Sequence, residues 1–302
     1  MANFYITHEY WFAVFQLVLA MLGMGATLKL RDFREIILEP LSVFTGSVIQ
    51  LVVIPCLAFV FILLVGKLIN VAAGVVVGIA LIAAIPGGTS SNIFTHFAGG
   101  NVALSISITA ITTLACLVTT PLILGVLIAA YMPSGFTMPT AQIMREITLN
   151  LLLPLIVGMA ILRLFPRIAH HLSIWCIRGS VLGLIMIFVG ASIAGRLDVE
   201  QFGWGNIALV SMFIVLIVLV GWLSPAAVKL VKKDCIAIEM EVVVRSVNLG
   251  IMLKVAIFPA VDSAAEQLGN MVLFSLLLYG AVQLLLGIAL IPLRRKSLEK
   301  LA

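Results

Sequence analysis

Charge is scarce in this chain: 10% of its 302 residues are Asp, Glu, Lys or Arg and 63% are apolar, whereas soluble domains carry about a quarter charged residues. With a mean hydropathy of +1.25, that scarcity excludes water as the main solvent of the fold. Cysteine is scarce too. Cys56, Cys116, Cys176 and Cys235 stand singly within or beside apolar runs, with no CxxC or Cys/His spacing. This excludes a zinc or disulfide framework and leaves small buried thiols as the expectation. No nucleophile, base and orienting group stand at compatible spacing, so the chain is not expected to be an enzyme, to have catalytic residues or to hold an organic cofactor. The first apolar run, Tyr10 to Leu28, has no basic stretch before it and no small-x-small cleavage site, so it reads as a retained span and not a signal peptide. The net charge of +5 comes from basic residues beside apolar runs. It points to membrane orientation, not to nucleic acid.

What is present is a series of apolar runs long enough to cross a bilayer, about twenty residues each. They fall at about 10–28, 40–66, 71–98, 101–130, 142–164, 172–195, 204–228, 234–258 and 267–292. The expected fold is therefore an all-α membrane protein of about nine transmembrane helices in a single domain over 1–302. Alternate loops differ in basic content. One set holds Lys29, Arg31, Arg34, Arg163, Arg167, Arg178, Lys229, Lys232, Lys233, Arg294, Arg295, Lys296 and Lys300, and the other holds Lys67, Arg145, Arg196 and Lys254. The positive-inside rule then puts the N terminus outside and the C terminus in the cytoplasm. The tail Arg294-Arg295-Lys296 suits anionic lipid. Trp11, Trp175, Trp204 and Trp222 fall near span ends as interfacial anchors.

Two spans are unusual. In the third, Pro86-Gly87-Gly88 interrupts the run and Thr89-Ser90-Ser91-Asn92 follows. Proline removes a backbone donor and glycine releases the chain from helical dihedrals, so the helix stops and restarts with N-cap side chains. A simple proline kink would also account for the sequence. The eighth span carries Glu239, Glu241, Arg245, Ser246 and Asn248 in an apolar frame. Charges at such depth need partners or a function. Glu241 and Arg245, four apart, would share a helix face as an ion pair, structural or functional. Glu239 could reach Lys232 or Lys233 and receives no role. Interrupted, polar helices in oppositely oriented halves point to an inverted repeat with its site at the midplane. Here the halves hold four and five helices.

Gly23-Met24-Gly25-Ala26-Thr27-Leu28 with Asp32-Phe33, the Pro86 to Asn92 stretch, Gly100-Asn101-Val102-Ala103-Leu104-Ser105, and Glu241 with the polar positions after it together resemble the bile acid:sodium symporter family along essentially the whole chain. The resemblance implies a bacterial inner (plasma) membrane protein of the nine-helix form, with two crossing interrupted helices. Panel helices would be 10–28, 142–164 and 172–195, and the remaining six spans would form a core that moves against them. It implies Na⁺-coupled uptake of an organic anion of bile acid, pantoate or keto-acid type by alternating access. The first sodium site would use Ser91, Asn92, Ser105, Thr109 and Glu241, a set of hard oxygen donors. Ser105 and Thr109 could instead bond back to helical carbonyls.

At the second sodium site the pattern departs. Gln50 matches the family, but Arg245 stands where a glutamine is usual. A guanidinium has no lone pair and cannot coordinate a cation. It can replace one, which leaves one Na⁺ and a salt bridge to Glu241 as the expectation. Arg245 could alternatively bind a substrate carboxylate or support sodium-independent transport. Thr89, Ser90 and Asn248, near half-helix N termini that favour anions, are the expected substrate contacts. His96 reads as a satisfied buried histidine, with a proton-coupling role as the alternative. An arsenite-type permease using Cys116 and a non-transporting sensor are the competing functions; substrate identity and oligomeric state are not legible.

Overall fold

The computed structural model describes residues 2–29, 40–68, 71–132, 136–258 and 263–299. Asp32 and Phe33, with Arg31, Arg34 and Lys300, lie outside the described residues. The described chain is helical, and its one β-type pairing is an isolated antiparallel bridge between Gly87 and Arg245. In lipid every backbone group must be satisfied within the protein, and helices do this segment by segment.

Seven helices among the described residues are long and apolar enough to cross a membrane. They are α1 (Ala2–Gly25), α2 (Pro40–Leu68), α5 (Val102–Ile128), α6 (Thr140–Leu164), α7 (Pro166–Ile193), α8 (Trp204–Ala227) and α11 (Ser263–Glu299). Four shorter helices lie between them, α3 (Ala73–Ala84), α4 (Thr89–Ala98), α9 (Lys232–Val243) and α10 (Val247–Ile257), besides single turns at Ala129–Tyr131 and Val199–Phe202. The long helices expose large apolar side chains such as Phe44, Leu122, Phe188 and Leu285. An apolar surface of that extent matches a hydrocarbon solvent. By contrast α3, α9 and α10 are almost wholly buried. The chain is a multi-pass membrane protein built around these short helices.

Within the bundle α1 packs chiefly on α7 and the second half of α6, whereas α11 packs on α3 and α8 packs on α9. A Cβ on Gly25 would stand 2.1 Å from the Leu155 carbonyl oxygen, and one on Gly158 2.4 Å from that of Leu22. Glycine at both places lets α1 and α6 approach backbone to backbone, as small residues do in membrane packing. Two helices contain a π-type turn, Ile49–Val53 in α2 and Thr148–Leu152 in α6. Each is followed closely by a proline, Pro55 and Pro154, whose ring would clash with the carbonyl four residues back in a regular helix.

Several expectations from sequence are corrected here. The first helix begins before Tyr10 and takes in Glu9, because that carboxylate is neutralised by Lys254 and Arg196. Both cations are buried: Lys254 lies within α10 and not in a loop, while Arg196 is in the loop after α7 but turned inward. Arg167 and Arg178 likewise sit on α7, and Trp175 lies within that helix with the Arg178 guanidinium 5.6 Å from its ring. Glu239 pairs with Arg294, 2.6 Å from its Nε, and not with Lys232 or Lys233; the pair lies against Trp222. His96 is exposed on α4, not buried, and Cys56 is exposed on α2. The restarted helix α4 takes Gly88 as its N-cap with no side-chain cap, so Thr89 to Ser91 do not act as caps.

Candidate functional site

The two interruptions meet. Between α3 and α4 the chain passes through Pro86-Gly87-Gly88, and between α9 and α10 through Val244-Arg245-Ser246. The Gly88 amide donates to the Val244 carbonyl (2.9 Å) and the Ser246 amide to the Pro86 carbonyl (2.9 Å). The central amides of the two stretches point away from each other, and each finds a glutamine. Gly87 N–H donates to Gln50 Oε1 at 2.8 Å, and Arg245 N–H donates to Gln283 Oε1 at 2.8 Å. Gln283 Nε2 returns a bond to the Arg245 carbonyl, and the Tyr279 hydroxyl donates to that of Val243. Groups freed by breaking the helices are thus satisfied inside the protein, as irregular backbone at this depth requires.

Beside the crossing lies an oxygen cluster. Glu241, in the last turn of α9, is fully buried. Its carboxylate accepts from the Ser91 hydroxyl, from Ser105 Oγ at 3.0 Å and from Thr109 Oγ1 at 2.6 Å. Asn92 Oδ1 also accepts from Ser105 Oγ (2.7 Å) and lies 3.4 Å from Thr109 Oγ1. The five residues singled out from sequence for this cluster therefore converge from α4, α5 and α9. Thr109 Oγ1 also reaches the Ser105 carbonyl, and Ser91 Oγ that of Gly88, so local back-bonding and convergence occur together. Sequence reading missed Thr95, whose hydroxyl reaches Ser105 Oγ at 3.3 Å. A hydroxyl carries two lone pairs besides its proton. The same three hydroxyls that donate to the carboxylate can turn their lone pairs toward a small hard cation, with the amide oxygen as a further donor.

Arg245 departs from its expected place. Among the described residues its guanidinium forms no ion pair with Glu241. The four-residue spacing aligns side chains only on a continuous helix, and α9 ends at Val243. Instead Nε and Nη2 donate to the Ile85 carbonyl (3.0 and 2.5 Å), and Nη2 also to that of Ala83 (3.2 Å). These carbonyls close the C-terminal end of α3, where the helix dipole favours a cation. Nη1 is buried without a partner among the described groups. Gln50 lies in the π-type turn of α2, with its Nε2 3.4 Å from the Glu241 carbonyl.

Thr89, Ser90 and Asn248 line one cavity of about 150 Å³. Gly88, Arg245, Ser246 and Gln283 of the crossing form its inner wall, and Ala20, Ser180 and Leu184 of α1 and α7 face them. The cavity thus lies between the crossing and the α1, α7 pair, where the first turns of α4 and α10 present amide N–H groups. Gln283 and Ser180 were not singled out from sequence. Gln283 carried the same signal as Gln50, an amide within an apolar run.

Residues 14–195 match the Sodium Bile acid symporter family. The chain is 30% identical over 238 residues to the uncharacterized sodium-dependent transporter YocS of Bacillus subtilis, covering 79% of this chain and 72% of that protein. It is 36% identical over 160 residues to the probable sodium/metabolite cotransporter BASS1 of Arabidopsis thaliana chloroplasts, and 30% identical over 175 residues to the ileal sodium/bile acid cotransporter of Oryctolagus cuniculus. Those two matches span 52% and 58% of this chain, and 37% and 49% of the relatives' own lengths.

Proposed function

The chain belongs to the sodium bile acid symporter family, and from that premise and the geometry of the crossing we propose that it is a secondary active transporter moving a small organic anion with Na⁺. The observation that carries this reading is the meeting of Ser91, Ser105 and Thr109 hydroxyls on the buried Glu241 carboxylate. A carboxylate surrounded by neutral oxygens suits one hard monovalent cation. The relatives' names also fit: YocS is named a sodium-dependent transporter, and BASS1 and the ileal protein are named sodium cotransporters. Each pair α3, α4 and α9, α10 then makes one interrupted crossing, which brings the total to nine in an inverted repeat of four plus five. In this reading α1, α6 and α7 form a panel and the other helices a core. Basic residues put the N terminus outside and the C terminus in the cytoplasm.

Substrate is assigned to the cavity at Thr89, Ser90 and Asn248. A volume of about 150 Å³ is the size that holds a benzene-sized guest in protein interiors, which favours a keto-acid-sized anion over a sterol. Arg245 is assigned the place of a second Na⁺. Its N–H groups occupy the Ile85 and Ala83 carbonyls, acceptors of the kind a hard cation would use, and one Glu241 with Arg245 and one Na⁺ carries the same charge as one glutamate with two Na⁺. A second reading rests on the unpartnered, buried Nη1, which could receive a substrate carboxylate.

The test is a thermal-shift screen of purified protein against small carboxylates with and without Na⁺. A true ligand stabilises by mass action. Na⁺ alone should raise the melting temperature, a carboxylate should add to it only with Na⁺, and Glu241→Gln should remove both effects. Carboxylate stabilisation indifferent to Na⁺ would defeat sodium coupling.

A further inference from the structure

A second buried charge network lies apart from the crossing, and sodium coupling makes no use of it. Glu9 of α1 receives Lys254 Nζ of α10 at 2.9 Å on one oxygen, and Arg196 Nη1 at 2.5 Å on the other. Arg196, in the turn after α7, also reaches Glu266 of α11 at 3.3 Å. Glu9, Arg196 and Lys254 are all at least nine-tenths buried. In a chain with so little charge, three buried ions from three elements form a deliberate contact, and their placement follows the division of the fold. Glu9 and Arg196 belong to the α1, α7 pair, and Lys254 belongs to the half-helix that starts at the crossing.

The network lies beyond one end of the cavity and is not part of its lining. Ala20, on the cavity wall, is eleven residues along α1 from Glu9, about 16 Å. Between them Ala13, Gln16 and Leu17 are fully buried. Lys254 is eight residues beyond Ser246, about 12 Å along α10. For the cavity to open toward the end bearing the N terminus of α1, that helix must part from α10. The Glu9 to Lys254 ion pair is the charged contact among those at which they part. A purely apolar contact would resist hydration. A buried ion pair is different, since the desolvation cost of its ions largely offsets their attraction. Parted and hydrated, the same ions regain their solvation, so the two arrangements stay close in free energy while the closed one keeps a fixed register.

We propose that Glu9, Arg196 and Lys254 form the gate that closes the cavity at this end, and that Lys254 separates from Glu9 and both hydrate when the cavity opens there. The inference rests on the transporter reading, which requires two alternately open faces. Arg196 keeps Glu9 as a partner when Lys254 leaves, so the two stay together on the α1, α7 pair, and the contact from Arg196 to Glu266 of α11 is the second one that opening loosens.

The test reads accessibility, not transport. Ser180→Cys places a thiol on the cavity wall of protein in which the four native cysteines are replaced by serine. A membrane-impermeant maleimide is then applied to either face of sealed vesicles. The parent should react slowly from the Glu9 face. Glu9→Gln with Lys254→Gln removes one charge of each sign, and should raise that rate about 10-fold, the factor that corresponds to 1.4 kcal/mol, while lowering the rate from the opposite face. If the double variant does not assemble, Glu9→Asp keeps every charge, shortens the reach by one methylene and should raise the rate in the same direction by about 3-fold. Unchanged rates in the variant that assembles, or a parent already fast from the Glu9 face, would overturn the gate. Labelling needs neither Na⁺ nor substrate: Na⁺-dependent stabilisation with unchanged labelling removes the gate alone, and the reverse removes only the sodium reading.

Discussion

A Cβ on Gly87 would stand 1.8 Å from Glu241 Oε1 and 3.2 Å from Gln50 Nε2. The carboxylate at the centre of the oxygen cluster therefore occupies the space that a side chain at position 87 would take. Gly87→Ala should push Glu241 out of reach of Thr109 and Ser105 and abolish stabilisation by Na⁺. The comparison is Gly125→Ala on α5, where a Cβ meets nothing within 4 Å. Sodium titrations of melting temperature on both variants check this, and retained Na⁺ response in Gly87→Ala would count against Glu241 as ligand.

Arg245 gives a stoichiometric prediction. With the guanidinium in place of a second ion, Na⁺ dependence of substrate binding or uptake should follow a Hill coefficient near one. Arg245→Gln supplies an amide oxygen in place of donors and should raise the coefficient toward two with substrate affinity retained. Loss of substrate affinity at an unchanged coefficient is the result expected of a carboxylate-binding arginine.

Gln283→Leu should destabilise the crossing. It strips the Arg245 amide and carbonyl of partners at 2.8 and 3.2 Å, and a buried amide left unpaired costs about 1–3 kcal/mol. The expected signature is a lower melting temperature with faster hydrogen exchange at Arg245 and Val244. Gln283→Glu keeps the acceptor and should be milder on exchange.

The Glu239 and Arg294 pair should behave as a structural clasp. Arg294→Gln leaves a buried carboxylate uncompensated, at a cost of about 3–5 kcal/mol for breaking such a pair. Adding Glu239→Gln should recover most of the lost melting temperature without changing the Na⁺ response. A lost Na⁺ response in the double variant would show that the clasp belongs to the ion site.

The third-span break and the Glu241 cluster were legible because Pro, Gly and polar groups are rare and costly in an apolar frame, so each one present marks a place where backbone or charge must be satisfied. What remained illegible depends on partners distant in sequence. From sequence the first span begins at Tyr10 and leaves Glu9 out, because the partners Lys254 and Arg196 stand 245 and 187 residues away. Glu239 was matched to nearby lysines when its partner is 55 residues on. Arg245 was paired with Glu241 through a spacing rule that holds only while the helix continues. The π-type turn that carries Gln50 has Pro55 as its sequence trace, a cue easily read as a simple kink.

The two bends at the crossing differ in origin. Pro86-Gly87-Gly88 interrupts its helix by its own covalent chemistry, whereas Val244-Arg245-Ser246 contains neither proline nor glycine and is held open by contacts with Gly88, Pro86 and Gln283. During synthesis the N-terminal part emerges first, so the segment whose bend is intrinsic precedes the one whose bend depends on it. The second bend is thus conditional on the first: without the backbone groups of Gly88 and Pro86 and the side chain of Gln283, the polar groups of 244–246 would find partners only in a continuous helix.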